Sequence, residues 1–413
     1  MKKFLLATTA LVGFAASAQA GGGHMPAEAA PAPANTGGIT VMVGGNIAFE
    51  ASATDQDNNA GITDRSAIGG ASATGTAGDT RDVHFTNPNT EINITAAGST
   101  ENFDYGAVVE LNADIDEDVE GDGGNADKTY LFAESDNFGR VELGANTGAE
   151  GALEVDASNI ARATGGIDGN WWHYVDTDGV SSTAGADLTS SVFSIKPNLV
   201  LDNNEATTQD ATKITYYTPR FSGLQLGVSY VPDSGDIGSG ANLSLKNNGD
   251  AENVFTGGVN YEANMEGVGL TLAAVGETGE AEATGTEDLN AYSLGGKVEV
   301  AGFSVAGNWA DQGDSLSAVG SDTESTYWTA GAAYENGPAG VSVTYFNGER
   351  DATGTANDTE TTNLVVGADY QLAPGFTPYV EAAFFELEDG AAGTQDNDGS
   401  VVLLGAEIGR AHV

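Results

Sequence analysis

Sixty aspartates and glutamates stand against fourteen lysines and arginines in this 413-residue chain, giving a formal net charge of −46, and there is no cysteine. Such a surplus of carboxylate attracts cations and repels polyanions, so nucleic-acid binding, which needs clustered basic side chains, is excluded. Without cysteine there is no thiolate nucleophile, disulfide staple or thiolate zinc site. His24, His84, His173 and His412 share no spacing that a metal site would use. No GxSxG, HExxH or phosphate-loop pattern occurs, and paired carboxylates carry no glycosidase signal where acids are this common. No catalytic residue and no cofactor is therefore expected. Residues 114–127, DIDEDVEGDGGNAD, gather hard oxygen ligands but lack the sixth-position glycine and closing glutamate of an EF-hand loop. They read as a solvated loop, with weak divalent-cation binding as the competing reading. The densest functional grouping lies between Asn146 and Asp210, which carries ten acids, among them Glu150, Glu154, Asp156 and Asp168, against Arg162 and Lys196. A connection of that length without periodicity is usually functional. Its chemistry is electrostatic.

The elements that must hold this loop are strands. Ahead of them, Lys2 and Lys3 precede an apolar run from Phe4 to Ala16, followed by Ala18, Gln19 and Ala20, the pattern of a cleaved export signal over residues 1–20. The run is too short to cross ~30 Å of hydrocarbon as a helix. Residues 21–38 are an Ala-, Gly- and Pro-rich lead-in without periodicity, read as flexible. From Thr40 the chain alternates apolar with small or polar residues, the period of a strand with two unlike faces. Val41, Val43, Ile47 and Phe49 make one face of the first strand, and Met42, Asn46 and Glu50 the other. The pattern recurs through Phe103 to Leu111, Leu224 to Tyr230, Tyr292 to Val300, Trp328 to Tyr334, Leu364 to Tyr370 and Pro378 to Phe384. Tight connections such as Gly98 to Glu101, Pro219 to Gly223 and Ala301 to Gly302 alternate with long polar ones such as 53–80, 146–210 and 311–325. Seven turns and eight loops join sixteen strands. That is the arithmetic of a transmembrane antiparallel β-barrel, because an open sheet edge cannot persist in lipid. The segment SVFSIKPNLVLD, 191–202, alternates weakly, which leaves an extra hairpin and eighteen strands open.

Aromatic placement points the same way. Phe103, Tyr105, Tyr261, Phe303, Tyr334 and Tyr370 sit beside the tight turns, and Phe49, Tyr230, Phe255, Tyr292, Trp309, Trp328, Tyr345 and Phe384 beside the long loops. Two girdles with an aliphatic band between them suit a wall facing hydrocarbon. Residues of opposite parity then face the lumen: Glu50, Asp104, Glu110, Arg140, Glu142, Lys213, Glu262, Lys297, Asp369 and Glu381. Acids outnumber bases, so cations are expected to be preferred, less so at high salt. Arg140 and Lys213, one before and one after the long loop, are the expected basic wall residues facing its acids across the aperture. Trp171, Trp172 and Tyr174 are expected either to pin the loop to the wall or to rest on the rim.

The stretch KITYYTPRFSGLQLGVSYVPD, 213–233, resembles the strand, turn and strand after the constriction loop of Gram-negative porins of the alphaproteobacterial general type, and FGRVELG, 138–144, resembles the strand leading into that loop. The resemblance implies a trimeric sixteen-stranded barrel in the outer membrane, spanning 39–406. Short periplasmic turns, long extracellular loops and a third loop, 146–210, folded into the pore would accompany it. It implies passive diffusion of small hydrophilic solutes, contacts with lipid and lipopolysaccharide, and delivery by the outer-membrane assembly machinery. One departure is the end of the chain. Such porins usually finish on an aromatic residue, whereas Ile408 to Val413 break the alternation of Ser400 to Ala406, so residues 407–413 are expected to be a non-native tail. A secreted acidic all-β adhesin or surface-layer protein is the competing reading of the composition.

Overall fold

The two-faced period from Thr40 onward resolves, in the computed structural model, into one seventeen-stranded antiparallel sheet closed on itself. The structure describes residues 38–57, 82–113 except 89, 126–175, 193, 197, 199, 208–209, 211–235, 251–351 except 322, 358–388 and 396–409. The strands are β1 (Thr40–Gln56), β2 (Val83–Thr86), β3 (Glu91–Ser99), β4 (Asp104–Asn112), β5 (Ala126–Ser135), β6 (Gly139–Ala145), β7 (Thr212–Tyr217) and β8 (Leu224–Asp233). They continue as β9 (Ala251–Met265), β10 (Val268–Ala281), β11 (Leu289–Val300), β12 (Phe303–Gly313), β13 (Ser325–Asn336), β14 (Ala339–Arg350), β15 (Thr359–Tyr370), β16 (Phe376–Glu388) and β17 (Asn397–Gly409). Apart from β2 and β3, which both pair with β1, each pairs with its sequence neighbour, and β1 closes the ring by running against β17 from Asn46↔Gly409 to Gln56↔Gly399.

Seventeen segments make sixteen wall positions. The other edge of β1 is shared, since Thr40 to Asn46 pair with β3 and Glu50 to Ala53 pair with β2. Between β2 and β3 the ladder is interrupted, and the Asn87 side chain donates to the Ala48 carbonyl at 3.0 Å. The barrel is thus the sixteen-stranded one. Of the alternative hairpin at 191–202, residues other than 193, 197 and 199 lie outside the described ones, and Phe193 and Leu199 pack among buried apolar side chains.

Side chains sort to two faces with the pleat. In β17 Leu403 is fully buried while Leu404 is 64% exposed, and in β16 Phe385 is 4% and Phe384 51% exposed. The outward face carries Phe303 against Tyr334 at 4.4 Å between ring centroids, Trp328 against Tyr345 at 4.8 Å, Tyr230 against Phe255 at 5.0 Å and Tyr292 against Trp309 at 5.6 Å. These are cross-strand neighbours grouped at strand ends, where amphipathic rings meet the membrane interfaces. Short turns close on residues in the left-handed region, such as Gly223 at φ 90° and Gly302 at φ 83°. A Cβ would be strained there.

At the end of the chain the alternation continues rather than breaks. Glu407 is buried on the inner face, Ile408 lies outward like Leu404, and both are paired with β1 and β16. The expected non-native tail therefore includes three residues, Glu407 to Gly409, that complete the last strand. Residues 410–413, the export signal, the lead-in up to residue 37 and the acidic stretch 114–125 lie outside the described residues.

Candidate functional site: the loop inside the barrel

Among the described residues, the connection from β6 to β7 is the part that enters the ring, and its described portion is not structureless. It forms a short helix, α1 (Ala149–Leu153), and three 3-10 turns at Ser158–Ile160, Gly166–Asp168 and Asn170–Tyr174. It lies along the inner wall. The helix packs on β7 to β10, the first turn on β12 and β13, the second on β14 and β15, and the third on β17.

Apolar packing seats the loop. Trp171 is fully buried, stacked on Phe385 at 5.9 Å and edge-on to Phe193 at 5.8 Å, and its Nε1 donates to the Gly166 carbonyl at 3.1 Å. Ile167, Leu153 and Leu199 join it against Tyr327, Phe346, Val365, Leu387 and Leu403 of the wall. Of the two expected roles for the aromatic trio, pinning is the one observed for Trp171. Tyr174 is also pinned, its hydroxyl donating to Glu50 Oε2 at 2.8 Å.

Four wall acids grip the loop. Arg162 donates from Nε to Asp369 Oδ2 at 2.8 Å and from Nη2 to Oδ1 at 2.6 Å, and also bonds Glu335. This fork-on-fork geometry is the strong form of a charge-assisted pair. Glu381 accepts the Thr164 hydroxyl at 2.6 Å and the Thr164 amide at 3.1 Å. Glu50 accepts Asn170 Nδ2 at 2.7 Å and the Tyr379 hydroxyl at 2.6 Å in addition to Tyr174. A carboxylate taking several donors satisfies its lone pairs without a cation beside it.

The loop's own acids sit at different depths. Glu150, in the first turn of α1, is fully buried, so it presents no charge to water, and burial pushes its carboxyl up. Glu154 accepts Asn308 Nδ2 at 3.1 Å and the Tyr327 hydroxyl at 3.2 Å. Burial, with the Asp156 charge adding to it, pushes the Glu154 carboxyl up to about 8. Asp156 caps the first 3-10 turn, taking the Ser158 hydroxyl at 2.6 Å and the Ser158 amide at 2.9 Å, and burial raises its carboxyl as well. Asp168 is pushed up to about 7 by burial and then by Asp156.

The expectation for Arg140 and Lys213 needs correction. Arg140 is held by neighbours on the wall, Glu142 at 2.5 Å and Glu134 at 2.7 Å, with its guanidinium 4.4 Å from the Phe132 ring centre. Lys213 is buried at the loop's root, where its Nζ donates to the Asn146 carbonyl and, at 2.6 Å, to the Gln209 carbonyl. It ties the two ends of the loop together instead of facing loop acids across an aperture. The reason is geometric, since β6 and β7 are adjacent and a lysine on the second strand reaches the exit of the first. Elsewhere Lys128 pairs with Glu110 at 3.1 Å, Lys297 with Glu299 at 3.3 Å and Arg220 with Glu262 at 2.9 Å. Outside the loop, Glu349, Asp351 and Asp358 bring one carboxylate oxygen each within 4.8 Å of one another on the exposed long-loop end.

Residues that the sequence does not single out are Thr164 and Asn170 on the loop, which donate to Glu381 and Glu50, and Asn308, Thr329 and Ser342 on the wall, where Asn308 donates to Glu154 while Thr329 and Ser342 accept the Ala157 and Arg162 amides. For Asn308, Thr329 and Ser342 the signal was strand parity alone, and Thr164 and Asn170 carried none. Among the described residues no helix is long and apolar enough to cross a membrane.

Comparison with known proteins agrees with this architecture. An uncharacterized protein of Rickettsia typhi is 26% identical over 345 residues, covering 68% of this chain and 75% of its own length. The anion-selective porin from Comamonas acidovorans superposes with a TM-score of 0.58 at 15% identity, covering 90% of this chain and 100% of that one. The outer membrane channel DcaP of Acinetobacter baumannii superposes at 0.54 with 12% identity, over 92% of this chain and 99% of that one. The profile of the Gram-negative porin family matches residues 7–391, and this chain, a closed barrel of the outer membrane with a loop folded against its inner wall, belongs to that family.

Proposed function

We propose that this porin is a water-filled, cation-preferring channel through which small hydrophilic solutes and ions diffuse passively, with the loop Glu150 to Asp168 as its constriction and no residue acting as a catalyst. The observation that carries the cation preference is how the bases are spent. Lys128, Arg140 and Arg162 each lie against two carboxylates, Arg220 and Lys297 against one, and Lys213 against two carbonyls. Acids therefore remain in surplus on the lumen side, and a low-dielectric wall lined by one sign of charge concentrates counter-ions. Glu110 and Lys297 belong to the pore wall in this reading but act as neutralised pairs. Glu50, Asp369 and Glu381 act through the loop they hold.

The test is the reversal potential of refolded protein in a planar bilayer under a KCl gradient. A cation-selective sign that weakens as salt rises is expected, and a zero or anion-selective potential refutes the preference. Assembly as a homotrimer belongs to the same proposal, supported by family membership. Cross-linking of detergent-extracted protein is expected to trap three copies, and a species that stays monomeric at every cross-linker concentration refutes it.

A further inference from the structure

We infer that a track of glycines on the inner wall, Gly227, Gly295, Gly331, Gly340 and Gly367, sets how close the loop lies to the wall and thereby fixes the open cross-section of the pore. The inference rests on the channel reading for its functional consequence and on geometry alone for the placement of the loop.

These glycines share the inward parity of their strands, β8, β11, β13, β14 and β15. None has the positive φ that marks the turn glycines, so the backbone there would accept any residue, and what excludes a side chain is space. A Cβ built on Gly227 would stand 2.8 Å from Leu153 Cδ1, and one on Gly295 would stand 1.7 Å from the Val155 carbonyl oxygen. On Gly331 it would stand 3.2 Å from Ala157 Cβ, on Gly340 2.2 Å from Arg162 Nε, and on Gly367 2.5 Å from the Arg162 carbonyl oxygen. The loop residues met, 153, 155, 157 and 162, advance in the same order as the strands that meet them. The loop thus runs across the wall with a gap in the side-chain layer under each step.

Between the glycines, polar wall side chains satisfy the loop backbone. Ser229 accepts the Ala149 amide at 2.8 Å, Asn260 Nδ2 donates to the Leu153 carbonyl at 3.2 Å, Thr329 accepts the Ala157 amide at 3.0 Å and Ser342 accepts the Arg162 amide at 2.8 Å. Loop backbone that is shut away from water needs such partners. They work at these distances only if the chain lies this low, so the glycines and the hydroxyls are one device. Gly295 and Gly367 face backbone atoms, which cannot rotate aside. Gly340 faces a side chain, which can.

Two experiments test this. Gly295→Ala and Gly367→Ala are expected to push the loop into the lumen and cut single-channel conductance by roughly one third or more. Gly269→Ala, inward on β10 with no atom nearer than 3.5 Å to its Cβ, is expected to leave it unchanged. Conductance of the first two that matches the parent, or exceeds it, overturns the inference. Independently of conduction, the cysteine-free chain allows the pair Ala157→Cys and Gly331→Cys, whose β-carbons at 3.2 Å are a few tenths of an ångström closer than the ~3.5–4.5 Å usual for disulfides, a gap that a small outward shift of the loop closes. This pair is expected to oxidise in the folded barrel, read as a reduction-sensitive gel shift. Failure to cross-link overturns the placement even if the alanine variants do not fold. A parent protein that does not conduct while the pair still cross-links refutes the channel reading and leaves the loop placement standing.

Discussion

At the scale of single residues, the acids of the loop are not equivalent, and under the proposed cation preference the differences are expected to make selectivity depend on pH. Glu154 is held near 8 and Asp168 near 7, both chiefly by burial. Below those values they carry a proton and no charge, and above them they add negative charge beside the path of ions. Cation preference is therefore expected to rise as pH goes from 6 to 9, read as a growing reversal potential at fixed salt gradient, and Glu154→Gln is expected to flatten the upper part of that rise. Docking of the loop runs the opposite way. A carboxyl whose pKa is raised by docking binds more protons docked than free, so docking is favoured at low pH and weakens as pH climbs from the ordinary carboxylate range through 7 to 8. Asp369 is a separate matter because its partner is a guanidinium that cannot shed its charge. Asp369→Asn leaves Arg162 half-buried with only Glu335 as an ionic partner. Removing one partner of a partly buried pair costs about 1–3 kcal/mol, here charged to loop docking and not to the barrel. More frequent sub-conductance closures, with unchanged resistance of the folded band to detergent, are the expected reading.

At the scale of elements, the loop is a small apolar core built inside a barrel, and Trp171 is its largest member. Trp171→Ala removes a fully buried ring that touches Phe193 and Phe385. Truncations of that kind cost about 3–5 kcal/mol. The strand ladder does not depend on it, so trypsin or proteinase K cleavage within the loop is expected to accelerate while the barrel fragments stay associated; uncut loop under conditions that cleave no other segment counts against this. The strands themselves were legible because a wall between lipid and water imposes period two, and the tight turns were legible because their glycines need positive φ. The docking of the loop was harder to read, since its partners are remote: Asn170 meets Glu50 across 120 positions and Arg162 meets Asp369 across 207. Yet one signal was present. Tyr327 beside Trp328, Tyr345 beside Phe346, Phe384 beside Phe385 and the run Val401 to Leu404 place apolar groups on both parities. A strand apolar on both faces is covered on both faces, here by lipid outside and by the loop within. Lys213 was misjudged for the opposite reason, because parity gives the face of a residue and says nothing of the height at which its side chain finds a partner.

At the scale of the whole molecule, everything inside depends on what surrounds the ring. Val305, Leu294, Val343, Val366 and Leu404 are exposed on the outer face between the two rows of rings, an apolar band that would be an aggregation hazard in water. In a bilayer it is the opposite, and the cost of a charge there depends on depth. Val366 lies outward near the middle of β15, paired with Val343 and Ala382, while Tyr370 ends the same strand beside a short turn. Val366→Arg is expected to destabilise the folded barrel by about 2–4 kcal/mol and Tyr370→Arg by about 0–1 from the charge itself, following the depth dependence of arginine on a lipid-facing wall. Urea titration of protein refolded into lipid vesicles, followed by tryptophan emission, reads both. Thr361, on the inner face of the same strand, fixes the reference: Thr361→Ser keeps its hydroxyl and is expected to shift the midpoint little. Equal midpoints for the Val366 and Tyr370 variants would mean that depth does not matter, which no membrane-spanning wall allows. A graded loss, steepest at mid-strand, requires that hydrocarbon lies against β15, and closure of β1 on β17 then follows from the need to leave no unpaired edge in it.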